Sequence, residues 1–249
     1  MKASFISILS LTVVLLFSGS SLPSSFEPIA VIELFTSQGC SSCPPADELL
    51  SATISDAQKD GRKIFALEFH VDYWNRLGWA DPFSDKSFSE RQSTYSRFMH
   101  LQNIYTPQMV VNGTHEFVGS DDDRLGVSLA EAMKVNAAAA FKRLNAARNG
   151  NQIEVQYELD GDYTNCKINV ALVSLKESTP VKRGENGGRT LHNANVVRQF
   201  TSMKAENTGI IHLTGSLPED ANTSIIAFVQ NNTDMKITGA ASAVFAKSE

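Results

Sequence analysis

Ile29-Ala30-Val31-Ile32-Glu33-Leu34-Phe35 runs directly into Thr36-Ser37-Gln38-Gly39-Cys40-Ser41-Ser42-Cys43-Pro44-Pro45-Ala46. The first seven residues are apolar apart from Glu33, with β-branched Ile29, Val31 and Ile32, the pattern of a buried strand. From Ala46 onward, Leu49, Leu50, Ile54 and Ala57 recur at helical spacing until Asp60-Gly61 stops the run. A Cys-x-x-Cys pair is therefore predicted between a buried strand and the start of a helix. Helix starts carry unpaired amides and the positive end of the macrodipole, so a thiolate is favoured there. The thiolate is the nucleophile of disulfide exchange. Cys40 is the candidate nucleophile, and Cys43, in the first helical turn, is the candidate resolving thiol. Pro44 suits a position that needs no amide donor.

Outward from this segment, Lys63 to His70 is a second apolar strand, and a loop rich in Trp, Asp, Pro and Gly covers Val71 to Phe83. Ser84 to about His100 reads as a helix. Gln108 to Val111 and Thr114 to Val118 read as strands joined by the Asn112-Gly113 hairpin turn. Asp121 to Asp123 can cap a helix that is predicted to run through the alanine-rich Ala137–Ala140 to about Arg148, with Asn149-Gly150 ending it. This alternation predicts a mixed α/β sheet flanked by helices, over residues 27–148. After Gly150 the texture is strand-like throughout: Ile153 to Leu159, Cys166 to Leu175, Asn195 to Met203, Gly209 to Leu217, Ser224 to Gln230 and Lys236 to Phe245. Short strands separated by turn signals predict an all-β, sandwich-like domain over 151–249.

The N-terminal half resembles a thioredoxin-fold domain. The string from Glu33 to Asp47 is similar to a secreted thioredoxin-like family catalogued as domain of unknown function 1223. So are His70-Val71-Asp72-Tyr73-Trp74-Asn75, Trp79 to Phe83, Tyr105-Thr106-Pro107-Gln108, and Arg183-Gly184-Glu185-Asn186 through Val197-Arg198. The resemblance implies an α/β thioredoxin-like fold ahead of the β-domain. It also implies that Thr106-Pro107 is a cis-proline loop opposite the dithiol, where Thr106 offers its backbone to an extended substrate. The ordinary alternative is a trans proline opening a strand, since cis is about 5–6% of X–Pro bonds. Two departures count against a general reductase: Ser-Ser stands between the cysteines, and Gly39 precedes the first one.

Other residues carry two readings each. Glu33 is an acid in an apolar strand, seven residues before Cys40. It is either a proton relay for Cys43 or a strand-end acid paired with a basic or backbone group. His70, Trp74 and Tyr105 are candidates for lining a substrate groove at the carboxyl ends of the strands, whereas Trp74 and Trp79 also read as packing anchors. Cys166 reads as a small inward hydrophobe or as a third redox cysteine. The Gly-rich 182–192 loop could bring Arg189 or His192 to Cys40, or form a mobile hairpin or an anion-binding loop. Of three sequons, Asn112 is explained by its turn.

Residues 1–20 have the layout of a secretory signal peptide: Lys2, an apolar run from Phe5 to Phe17, and small residues at Ser18-Gly19-Ser20. The run is shorter than the roughly 20 residues of a spanning helix. The expectation is a periplasmic or secreted protein with no membrane span after cleavage. With Lys+Arg 22 and Asp+Glu 27, the net charge of −5 argues against a nucleic-acid binder. Three cysteines are too few for a disulfide scaffold or a four-cysteine zinc site. No cofactor or resident metal is called for. The expected partner is a protein thiol or disulfide, and the sequence does not fix the oligomeric state. Three function classes compete: an exported thiol–disulfide oxidoreductase, a soft-metal carrier using the same two sulfurs, and an envelope adaptor in which the disulfide is a permanent clip.

Overall fold

A computed structural model describes residues 26–214 and 222–245. The signal-peptide reading of residues 1–20 lies outside them. Within the described residues are thirteen strands and three α-helices. The strands are β1 (Phe26–Pro28), β2 (Ala30–Thr36), β3 (Ile64–His70), β4 (Gln108–Val111), β5 (His115–Val118), β6 (Asn136–Ala137), β7 (Ala139–Asn149), β8 (Gln152–Gly161), β9 (Cys166–Pro180), β10 (Thr190–Lys204), β11 (Thr208–Thr214), β12 (Thr223–Asn231) and β13 (Ile237–Ala243). The helices are α1 (Pro44–Asp60), α2 (Lys86–Phe98) and α3 (Asp122–Ala132). No helix among the described residues is long and apolar enough to cross a membrane.

Eight strands form one mixed sheet in the order β13-β12-β9-β10-β3-β2-β4-β5. Strand β3 is parallel to both β2 and β10, and the other pairs are antiparallel. A separate antiparallel sheet runs β11-β8-β7. The strands β2 and β9 are buried on both faces, so their sequences read as continuous apolar runs rather than alternating ones. The edge strand β13 returns toward β2 and β3, and the Ile237 amide donates to the Asn112 carbonyl. One face of this curled sheet gathers Val31, Phe35, Phe69, Val197, Ile226 and Phe228 against Phe88 and Tyr95 of α2. On the opposite face, Ile32 and Leu34 pack on α1 and α3, while Ile168, Val170 and Ala227 pack on the three-stranded sheet.

This architecture corrects the expected fold class. The chain is mostly β and lacks a thioredoxin-like α/β core followed by a separate sandwich. Strands from both halves share the large sheet because β10 enters it beside β3, with Val196 opposite Glu68. That pairing joins residues 128 positions apart, and no local pattern announces it. The long helix predicted to Arg148 is also corrected. Helix α3 ends at Ala132, and Ala137–Ala140 enters β6 and β7. The Ala138 amide donates to Thr238 O, and its carbonyl accepts the Asp162 amide. Tertiary partners thus override the helix preference of alanine, which is a weak prior.

A buried ion pair within the N-terminal half is joined to the C-terminal strands through its neighbours. The Arg91 guanidinium of α2 forks onto the Glu33 carboxylate of β2, with Nη2 to Oε1 at 2.9 Å. Tyr95 Oη donates to the same carboxylate, and Gln230 of β12 bonds to Arg91 and Tyr95. The guanidinium lies over the rings of Phe69, Tyr95, Phe200 and Phe228. Removing one member strands a buried charge. Arg91→Met is expected to lower unfolding free energy by about 3–5 kcal/mol, and the double change Glu33→Leu/Arg91→Met to recover most of it. Urea unfolding of both variants checks this.

Candidate functional site

Cys40 and Cys43 are joined in a disulfide with their Cα atoms 5.5 Å apart. Cys43 is the N-cap of α1, one position before the helix rather than inside its first turn. The next two residues are Pro44 and Pro45, which have no N–H to give. The first amides of the helix, Ala46 and Asp47, both donate to Cys43 O. The first turn of the helix therefore offers no unpaired amide to a Cys40 thiolate, and the Ser42 hydroxyl is a donor within reach of its Sγ. Both half-cystines are 0% exposed. The cover over Cys40 is thin, because its Sγ lies 3.3 Å from Oγ of exposed Ser42.

Three loops build the surroundings. The loop after β3 brings Trp74, whose indole donates to Thr106 Oγ1 at 2.8 Å and whose Cβ lies against Gly39. The Thr106–Pro107 peptide is cis. Pro107 stands beside the head of α1, since both its ring and Ala46 crowd Gly119. A Cβ on Gly119 would come within 2.7 Å of Leu34 Cδ1 and 3.1 Å of Ala46 Cβ. Tyr105 is held in place rather than free: its hydroxyl donates to Glu116 at 2.7 Å, and its carbonyl accepts from Gln92. The third loop joins β9 to β10 and reaches the disulfide through Glu185 and Asn186, not through Arg189 or His192. Asn186 Nδ2 donates to Gln38 O and Cys40 O at 3.0 and 2.9 Å, and Glu185 accepts the Ser41 amide.

Beneath the disulfide lies a cluster of buried ionisable groups. Asp47 follows Cys43 by four residues, so the two share a face of the helix end. Asp47 accepts a hydrogen bond from Thr36 Oγ1 at 2.7 Å, and Thr36 is the register partner of His70. His70 Nδ1 meets Asp81 Oδ2 at 2.8 Å, and its Nε2 faces Glu68 Oε2 at 3.6 Å. Burial, and then the nearby Glu68 charge, push the Asp47 carboxyl well above its usual range. Burial raises Glu68 too. Burial pulls the His70 imidazolium down, but the Asp81 and Glu68 carboxylates prevail and hold it up at about 10. Burial opposes the Asp81 charge as well, yet His70 and the Gln38 and Phe83 amides keep its carboxyl below the ordinary value.

The predicted site residues thus divide. Cys40, Cys43, Thr106, Pro107 and Trp74 come together around one loop. His70 points inward, fully buried, as the partner of Asp81. Glu33 is on the α2 face of the sheet, engaged by Arg91, while Cys43 heads a helix packed on the other face. Cys166 is buried in the core between the sheets, and its thiol donates to Thr164 O. Asp47, Asp81 and Asn186 escaped the sequence reading. Asp47 had a signal: it interrupts the buried stripe of α1 four residues after the cysteine. Among the described residues no group of three His, Cys, Asp or Glu is arranged to hold a metal.

The His70 proton links stability to pH. Below about pH 6.5 both folded and unfolded chains carry it, and between there and about 10 only the folded chain does. Raising the pH through that window therefore removes stability, by up to about 1.4 kcal/mol per unit. Asp47 and Glu68, raised in the fold, act with the same sign, and Asp81 acts oppositely as the pH falls below the carboxylate range. Wild type is expected to lose stability steadily from pH 7 to 10 in urea titrations, and His70→Gln to start lower and stay flatter.

Residues 31–230 match the family model described as Protein of unknown function (DUF1223). A crystal structure of a protein from Agrobacterium tumefaciens is similar at 26% identity, with a TM-score of 0.62 over 90% of this chain and 97% of that one. A domain of the outer membrane lipoprotein Omp28 from Porphyromonas gingivalis matches 44% of this chain and 96% of that domain. At 15% identity and a TM-score of 0.27, it carries no argument. No curated protein matches the chain. The family match spans most of the sequence, including the disulfide and the residues of all three loops around it, and the chain belongs to the DUF1223 family.

Proposed function

We propose that Cys40 and Cys43 form the redox couple of a thiol–disulfide exchange protein that acts on an exported protein partner. The observation that carries this reading is the Cys-x-x-Cys disulfide seated at the head of α1 over the buried cluster of Asp47, Glu68, His70 and Asp81. Burying three carboxyl groups and an imidazole is costly, and exchange chemistry gives their gathering at the head of the cysteine-bearing helix a use beyond the hydrogen bonds they accept. Perturbed ionisable groups gathered beneath a reactive pair are what proton-coupled chemistry requires. The reduced Cys40 thiolate attacks a partner disulfide and forms a mixed disulfide, releasing one partner thiolate. Cys43, deprotonated, then attacks Cys40 Sγ and releases the second. Two electrons pass to the partner, whose two sulfurs take up two protons, and the Cys40–Cys43 bond re-forms. Asp47, four residues after Cys43 on the same helix end, is the proposed acceptor of the Cys43 proton.

The direction follows from the helix start. Because Pro44 and Pro45 give no amide and the next two amides are already bonded, we infer that the helix start lends the Cys40 thiolate less than unpaired amides would, with the Ser42 hydroxyl as the side-chain donor beside it. A couple whose thiolate lacks support favours its disulfide and so works as a reductant, recharged by a protein dithiol. The leader-like residues 1–20 support an extracytoplasmic setting.

A second reading, the permanent clip, is favoured by the complete burial of both half-cystines. Potential and trapping separate the two. Exchange predicts a reduction potential between about −300 and −200 mV. It also predicts a mixed disulfide that accumulates in Cys43→Ser on addition of scrambled ribonuclease and is lost in Cys40→Ser. A potential well below about −300 mV with no trapped adduct identifies the clip.

A further inference from the structure

We propose that the β9–β10 loop, residues 181–189, is a latch that occupies the strip where an extended segment of the partner polypeptide binds. The inference rests on the exchange reading above. Asn186 is 0% exposed, and its single Nδ2 atom reaches the carbonyls of both Gln38 and Cys40. The Cys40 amide donates to Ser37 O, so Gln38 and Gly39 form the centre of a turn, and the carbonyls on either side of Gly39 converge on this one donor. A backbone amide of a partner segment that approaches Cys40 is a donor of the same kind. The Glu185 carboxylate accepts the Ser41 amide at 3.0 Å, in the role that a peptide carbonyl would take. The latch therefore supplies, from side chains, the donors and acceptor that a bound main chain would supply.

The loop is built to hold this position. Val181 and Arg189 exchange a backbone bond, the Gly188 amide donates to Val181 O, and Arg189 Nη1 fixes Asn186 Oδ1 at 2.9 Å. Gly184, at φ +75°, lies under Trp79, where a Cβ would sit 3.1 Å from the Trp79 Cβ. Trp79 in turn donates to the Gln38 side chain. Displacing the loop frees the 38–41 strip while β9 and β10 stay paired below it. An incoming partner segment brings amides and carbonyls of its own to the uncovered groups, whereas a small reagent brings none.

The test compares wild type with Asn186→Ala and Glu185→Gln. Glu185 is exposed, so its variant folds even where the buried Asn186 change does not. Reduction by dithiothreitol transfers two electrons and two protons to Cys40 and Cys43, and the reagent closes to its cyclic disulfide. The second-order rate is expected to rise at least tenfold in Asn186→Ala and about threefold in Glu185→Gln, with an unchanged reduction potential. Exchange with scrambled ribonuclease is expected to rise less than reduction by dithiothreitol, because that partner displaces the latch itself. Rates within twofold of a reactive wild type overturn the latch and leave the exchange reading standing. Reduction that follows global unfolding in urea, in wild type and variants alike, overturns both.

Discussion

Gln38 is held from four directions by residues far from it in sequence. Its amide donates to Asp81, its carbonyl accepts from Asn186, and its side chain meets Trp79 and Asn193. The reason is elementary: a loop that leaves a buried strand carries backbone groups that cannot be left unpaired away from water. The segment from Ser37 to Cys40 has no ladder partner: the Gly39 and Cys40 amides bond back to Ser37, and Gln38 is met by side chains from the loop after β3 and from the β9–β10 hairpin. Those two elements reach it only because β10 lies beside β3 in one sheet. The position of the disulfide is thus a property of the whole sheet rather than of the Cys-x-x-Cys segment.

The ionisable groups obey the same accounting. Asp81 serves two masters, the Gln38 amide and the His70 ring, so the charge that fixes the loop also fixes the proton beneath it. On the other face of β2, Glu33 and Arg91 neutralise each other inside a ring of aromatic side chains. Strand alternation separates these two buried networks: Glu33 faces α2, while Thr36 faces α1 and Asp47. The buried acid of β2 is therefore engaged on the α2 side, and the buried acid of α1 is the one that shares a helix end with Cys43.

Much of this was legible in local sequence. The strands β2, β3, β4 and β5, the helix stop at Gly61 and the Asn112-Gly113 turn each carry a period or turn signal that physics reads directly. The lone Thr-Pro before β4 and the paired cysteines before α1 marked the elements that meet. What failed was non-local. A parallel pairing of β10 with β3 leaves no periodic trace, so local pattern gives no sign that strands from both halves share one sheet. The alanines at 137–140 favour a helix in isolation, and their backbone partners at Thr238 and Asp162 lie far away in sequence. Glu33 and Asp47 are both acids in buried stripes, and distance along the chain cannot tell which face of β2 a side chain takes; of the two readings of Glu33, the contacts show the acid paired with a basic group. Asn186 looked like part of a glycine-rich hairpin tip, since nothing nearby hints at the carbonyls it serves.

The central claim is that the disulfide is closed over by contacts that release locally, without unfolding the sheet. Native-state hydrogen exchange on the oxidised protein tests it at the amides of Gln38, Cys40 and Arg189, which bond to Asp81, Ser37 O and Asn186 O. The account predicts that these three exchange through a shared opening, insensitive to low urea and cheaper than global unfolding, while amides of β2 and β9 exchange only with the whole molecule. Exchange of all of them through global unfolding alone would contradict it and leave Cys40–Cys43 a fixed brace.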